Sequence, residues 1–174
     1  MSSLSTQRTQ MNKLIFLDID GVLDTYKSRY MLDPTLMDRL GIILGKTGAW
    51  IVLSSSWRCD NVHDTIDFLT DYDNPRVGSN PFPFTDRIVG VTPILYSVVE
   101  GDIDRPATRG EEIAAYLKQH PCDNYVILDD CDEILHAQIP HLVLINDDVG
   151  LTIEDVEKAV CILNNSENEK RSLA

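Results

Sequence analysis

Short apolar runs recur along this chain, and each stops at a polar residue. Lys13 to Leu17 (KLIFL) runs into Asp18, Trp50 to Leu53 into Ser54, Tyr125 to Leu128 into Asp129, and Leu142 to Ile145 into Asn146. Runs of this length, rich in branched and aromatic residues, predict buried β-strands. Val89 to Val91 is a shorter candidate strand, and Ile94 to Val99 a short apolar element. Between the runs the apolar residues recur at helical spacing. Asp33 and Pro34 open a helix as N-cap and first helical residue. Leu36, Met37, Leu40, Ile43 and Leu44 form its inward face, and Gly45 and Gly48 bracket its end. A second helix is predicted from Asn61 to about Tyr72, with Val62, Ile66 and Leu69 on one face. A third opens on a Thr108–Glu111 capping box and buries Ile113, Tyr116 and Leu117. The last, capped by Thr152 with Asp155, turns Val156, Ala159, Val160 and Leu163 inward. Strand and helix alternate. This predicts an α/β fold, a doubly wound, Rossmann-like and largely parallel sheet, in which ligands meet the carboxyl ends of the strands.

One segment breaks the alternation. From Asp73 to Pro106 the chain is interrupted by Pro75, Pro81, Pro83 and Pro93, with Gly78, Gly90 and Gly101 among them. It is long for a connection, and is read either as a small lid or substrate-side insertion carrying Phe82, Phe84, Arg87 and Tyr96, or as an elaborated loop that packs these rings on the core. The expected organisation is a polar, disordered tail over 1–12, one domain over 13–164 with the insertion at 73–106, and a polar tail over 165–174. No internal repeat is present.

Composition narrows the function. The 174 residues include 15 Lys and Arg against 28 Asp and Glu, a net charge of -13. Such a surface repels a phosphate backbone, so extended nucleic-acid binding is disfavoured, whereas a local pocket for one terminal phosphate is compatible with it. No apolar run approaches the roughly 18 residues that span a bilayer, so no membrane association is expected. The first residues lack the apolar segment of a signal peptide, and Cys59, Cys122, Cys131 and Cys161 are scattered without a paired motif. A cytoplasmic protein with reduced thiols is the expectation.

The chemistry concentrates at the strand ends. Leu17 to Asp24 reads LDIDGVLD. Asp18 ends the first strand, and in extended chain Asp18 and Asp20 project to the same side with Ile19 between them. Gly21 permits a tight turn. Two close carboxylates repel unless a cation or proton lies between them, and Mg²⁺, which takes oxygen ligands from one or two carboxylates plus a substrate phosphate, fits that need. A calcium-binding EF-hand loop is ruled out, because its sixth and twelfth positions would be Leu23 and Arg29. After the second strand, Ser54 or Ser55 offers a hydroxyl to a phosphoryl oxygen, and Arg58 a guanidinium to the rest of a phosphate; a plain serine turn capping the next helix is the other reading. Arg109 stands in the first helical turn, where the dipole disfavours a cation unless an anion is also held there. Asp129 and Asp130 supply adjacent carboxylates at the end of a later strand, one for a metal and one for support.

In this order, an apolar strand into DxDGVLD, a strand ending in Ser, a basic residue at a helix start and a strand ending in paired Asp, the chain resembles the haloacid dehalogenase (HAD) superfamily of phosphohydrolases and phosphotransferases. The SSSWR stretch, the Arg-Gly helix start and the small size resemble a compact subgroup, the phosphatase modules of RNA-repair proteins. The resemblance departs at Arg109, where the family most often has Lys; Lys118 is a poorer match further along the helix. It implies a magnesium-dependent phosphatase acting on a phosphate monoester, a small molecule or a nucleic-acid end. Asp18 would be the nucleophile that forms an aspartyl-phosphate, Asp20 the general acid and base, and Ser54 and Arg109 the groups holding the phosphoryl. Asp18, Asp20 through its main-chain carbonyl, Asp129 and Asp130 would hold the metal. The 33 residues between Asp20 and Ser54 include a helix, which leaves no room for a large cap domain there. Two other readings stand beside this one: a catalytically silent HAD-like binding module, and a phospho-acceptor signalling domain, which places its paired acids first rather than last.

Overall fold

The computed structural model describes residues 13–99 and 102–172. Its frame is a five-stranded, all-parallel sheet in the order β3-β2-β1-β6-β7, built from β1 (Lys13–Leu17), β2 (Trp50–Leu53), β3 (Ile88–Val91), β6 (Asn124–Asp129) and β7 (Leu142–Leu144). Between β3 and β6 an antiparallel hairpin, β4 (Tyr96–Val99) and β5 (Asp102–Pro106), leads into helix α3 (Arg109–Gln119). The remaining helices are α1 (Pro34–Thr47), α2 (Val62–Thr70) and α4 (Ile153–Ser172).

Strand alternation divides the core in two. Ile15, Leu17, Ile51, Leu53, Val126 and Leu128 pack with Leu36, Leu40 and Ile43 of α1, Leu69 of α2, and Val156, Ala159 and Leu163 of α4. The intervening residues Leu14, Phe16, Val52 and Ile127 pack with Ile113 and Tyr116 of α3. Phe16 sits edge-on to both Tyr116 and Tyr125, with centroids 5.7 Å apart in each case. Helices thus cover both faces, as the doubly wound reading requires.

Local chemistry sets the helix ends. Asp33 accepts from the Thr35 N–H at 2.8 Å, and the Gly48 N–H closes on Leu44. Thr108 and Glu111 form the expected capping box, as do Thr152 and Asp155. The closing helix continues through Ser172, past residue 164 where its inward apolar face ends. The expected tail over 1–12 lies outside the described residues.

The 73–106 segment divides. Its first part is bound to the core: Val77 and Phe82 are buried, the Phe82 N–H donates to Leu69, and the Leu32 N–H donates to Arg76. Ile88–Val91 is the edge strand β3 of the main sheet, parallel to β2. The β4–β5 hairpin alone stands outside that sheet, joined to α3 through Ala107, whose N–H donates to Leu95.

Candidate active site at the carboxyl edge of the sheet

Register places four residues in one row. Leu17 lies opposite Leu53 and Leu128, and Leu53 opposite Val91. The next residues of these strands are therefore neighbours: Asp129, Asp18, Ser54 and Thr92, in that order across the sheet. Backbone hydrogen bonds continue the ladder one step, from Asp18 N–H to Leu128, Ser54 N–H to Leu17 and Thr92 N–H to Leu53. All four residues are buried.

On one side of Asp18 is an acid cluster. Asp18, Asp129 and Asp130 each offer an oxygen within 4.8 Å of the others. Burial pushes the Asp129 carboxyl up to about 7; Arg109 opposes the rise and Asp18 adds to it. Asp130 is also raised, by burial first and by Asp18 next. Asp129 Oδ2 is buried with no hydrogen-bond partner. A buried carboxylate oxygen with no hydrogen bond, met only by a guanidinium at ion-pair distance, inside an all-oxygen cluster fits a hard cation such as Mg²⁺, which would add a close partner and relieve the repulsion. Gly21 is what lets the acids close up. Its φ is +75°, and a Cβ there would stand 2.5 Å from Asp130 Oδ2 and 3.0 Å from Asp147 Cβ. Asp147, beside Asp130, is thus a neighbour of the cluster that sequence reasoning left without a role.

Arg109 bridges two of these acids. Its Nη2 stands 3.4 Å from Asp18 Oδ2 and its Nε 3.3 Å from Asp129 Oδ2, while Nη1 is buried without a partner. Its position depends on Gly110, whose N–H donates to Glu133 at 3.0 Å and whose carbonyl accepts from Gln138 Nε2 at 2.9 Å. A Cβ at 110 would collide with the Ile134–Leu135 backbone, so glycine allows the helix start to seat against the loop after β6. The Ser54 hydroxyl is likewise buried without a partner, whereas Ser55 Oγ accepts from the Trp57 N–H at 3.2 Å. Geometry therefore separates the two serines: the hydroxyl beside Asp18 is the uncommitted one.

Arg58 is placed differently from expectation. Its Nε donates to the Thr92 carbonyl, its Nη1 to the carbonyls of Ser54 and Ser55, and its Nη2 to Glu112 at 2.6 Å. The guanidinium is a buried brace that ties the ends of β2 and β3 to α3, and the substrate contact predicted for it gives way to these protein contacts. Glu112, absent from the sequence-level candidates, carries no local signal, since a Glu in a first helical turn is ordinary.

Asp20 stands at the mouth. Trp57 Nε1 donates to its Oδ1 at 2.9 Å, Ser56 Oγ to its Oδ2 at 3.2 Å, and Arg76 Nη2 also donates to Oδ1. The Arg76 guanidinium lies over the Trp57 ring, 4.3 Å from its centroid. Behind them Asp24 is fully buried; its Oδ1 accepts from the Gly21 N–H at 2.9 Å and its Oδ2 has no partner. Burial pushes its carboxyl up to about 6, with the Gly21 hydrogen bond opposing and Asp20 adding. Trp57 and Asp24 lie inside stretches the sequence had marked, and Arg76 inside the 73–106 insertion, though none of the three was singled out there. A separate cavity of about 370 Å³, lined by Cys59, Asp60, Thr92, Ile94, Tyr116 and His120 among others, includes none of Asp18, Asp20, Asp24, Asp129 and Asp130.

Residues 14–156 match the family model described as the HAD domain in Swiss Army Knife RNA repair proteins. The chain belongs to this family. No curated protein and no solved structure matches it. Membership gives the HAD domain a phosphohydrolase-type assignment, and the parallel sheet with helices on both faces and, among the described residues, no cap domain agrees with the HAD fold. HAD proteins generally use Mg²⁺, which the Asp18–Asp129–Asp130 cluster could hold. Among the described residues no helix is long and apolar enough to cross a membrane.

Proposed function

We propose that this protein is a magnesium-dependent phosphatase that hydrolyses a phosphate monoester through a phosphorylated Asp18, with a terminal phosphate of RNA as the substrate. One observation carries the reading. Asp18 belongs to the acid cluster and has two uncommitted donors in its surroundings, the Ser54 hydroxyl at the end of the neighbouring strand and Nη1 of Arg109, whose Nη2 it meets. That is the surrounding a nucleophile needs if a phosphoryl group is to arrive beside it.

Asp18 attacks phosphorus, and the bond from phosphorus to the leaving oxygen breaks as Asp20 gives that oxygen its proton. Asp20 then takes a proton from water, whose oxygen attacks the same phosphorus and releases inorganic phosphate and free Asp18. Ser54 and Arg109 hold the equatorial oxygens through both steps. When bound by Asp18, the Asp20 main-chain carbonyl, Asp129 and Asp130, Mg²⁺ neutralises charge between the carboxylate and the phosphate. The RNA end is supported by the family's description and by a site at the open edge of the sheet, and the net charge of -13 favours a terminal group over a long track.

The test is release of inorganic phosphate from p-nitrophenyl phosphate, nucleotides, sugar phosphates and 3′- or 5′-phosphorylated oligonucleotides, with and without Mg²⁺. Magnesium-dependent release, strongest on an oligonucleotide end and reduced at least about 1,000-fold by Asp18→Asn, is the expected result. Unchanged turnover in that variant would sink the nucleophile assignment. Magnesium binding without turnover on any ester would make the protein a HAD-like binding module.

A further inference from the structure

Asp20 stands partly exposed at the mouth of this site, and its surroundings contain a cation that the proposed chemistry does not use. Arg76 is not a loosely held surface residue. Its N–H donates to Asn74 Oδ1 at 3.0 Å, its carbonyl accepts from the Leu32 N–H at 3.2 Å, and the next residue, Val77, is fully buried. The backbone is anchored on both sides while 44% of the side chain stays open to solvent. The guanidinium is steered from below by the Trp57 ring and donates to Asp20. Unlike Arg58, it keeps most of its N–H donors free for a molecule from outside.

On the reading given above, Asp20 delivers its proton to the leaving oxygen, so whatever sits beside Asp20 faces the leaving group. The transferring phosphoryl already has Ser54 and Arg109. We propose that Arg76, stacked on Trp57, forms a leaving-group subsite, and that the preferred substrate is a phosphate monoester with a second anionic group close to the ester oxygen. That anion draws Arg76 away from Asp20 and leaves the carboxyl free to work on the leaving oxygen. Arg76 is therefore a specificity residue for the substrate and a positioning residue for Asp20. Nucleoside bisphosphates, sugar bisphosphates and a terminal phosphate next to a phosphodiester share this chemistry.

The inference rests on the phosphatase reading, and the test separates the two. Titration calorimetry with Mg²⁺ uses Asp18→Asn protein, in which ligands stay intact, with Arg76 kept or changed to Ala or Lys. The ligands are a nucleoside 3′,5′-bisphosphate, a sugar bisphosphate and a 3′-phosphorylated dinucleotide, each against its monophosphate, and orthophosphate. With Arg76 in place the second anion tightens binding at least about 10-fold, the scale of one charge-assisted hydrogen bond. Arg76→Ala removes the preference without moving orthophosphate affinity, and Arg76→Lys restores part of it. The arm with the largest preference names the source of the anion. In protein that keeps Asp18, Arg76→Ala raises KM for the bisphosphate more than for p-nitrophenyl phosphate, a split that a merely structural arginine would not produce. A preference that survives Arg76→Ala, or no preference or binding in its parent, overturns the proposal. Absence of turnover by the protein that keeps Asp18 overturns the phosphatase reading alone, and the titration still decides the subsite.

Discussion

Two arginines lie near the first turn of α3 and have opposite circumstances. Arg58, paired with Glu112, has its guanidinium bound at every nitrogen: three backbone carbonyls and one carboxylate accept from it. Arg109 makes long contacts of 3.3 and 3.4 Å to Asp129 and Asp18 and keeps one buried nitrogen without a partner. Both guanidiniums are largely buried, with side-chain exposures of 8% and 18%. Burial therefore does not distinguish them; hydrogen-bond saturation does. A saturated buried ion stabilises the fold, whereas an unsaturated one carries an unmet demand that a ligand can satisfy.

Stability should separate them first. Arg58→Ala leaves Glu112 buried without its charged partner and removes the guanidinium donor from three carbonyls, a loss of about 3–5 kcal/mol. Urea unfolding measures it, and a loss under about 1 kcal/mol would remove the distinction drawn here. The second contrast is in activity. Arg109→Ala is expected to reduce turnover on the best ester about 100- to 1,000-fold, with a change in stability much smaller than that of Arg58→Ala. Similar stability losses in both variants would mean that Arg109 is also a brace.

The smallest expected effect extends the comparison to a carboxyl. Asp24, like Arg109, is incompletely satisfied, and its native value of about 6 lies above the ordinary 3.8. The folded state therefore holds this proton more tightly, and the resulting stability is complete below about pH 4 and lost as pH rises through 6. From pH 5 to pH 8, in the absence of Mg²⁺, this group alone removes about 1 kcal/mol. Asp24→Asn keeps an acceptor for the Gly21 N–H and cannot ionise. Its stability relative to the parent should improve by that amount over the same range, whereas a pH-independent difference would mean that Asp24 is not protonated in the fold.

Much of this molecule was legible locally. The strand that ends at Asp18, the capping boxes at Thr108 and Thr152, and the order of the motifs all depend on residues within a few positions of each other, where periodicity and cap chemistry act. The 73–106 segment was harder, because Ile88–Val91 becomes an edge strand by pairing with β2, and short apolar runs do not disclose their partners. The assignments that changed or were absent share one property. Arg58 meets Glu112 54 residues away and Arg76 meets Asp20 56 residues away. Neither arginine carries a sign in its neighbourhood of which carboxylate it will find.

The sequence by itself therefore determined the class of fold, the strand ends that carry Asp18, Ser54 and Asp129, and the family resemblance, because each follows from short-range pattern and chain order. Tertiary structure alone decided which charged groups are saturated and which are open: it bound Arg58 into a brace, left the Ser54 hydroxyl and one nitrogen of Arg109 uncommitted, and set Arg76 over Trp57 at the mouth. Hydrogen-bond satisfaction is a property of three-dimensional neighbours, and only the packed sheet and helices bring those neighbours together.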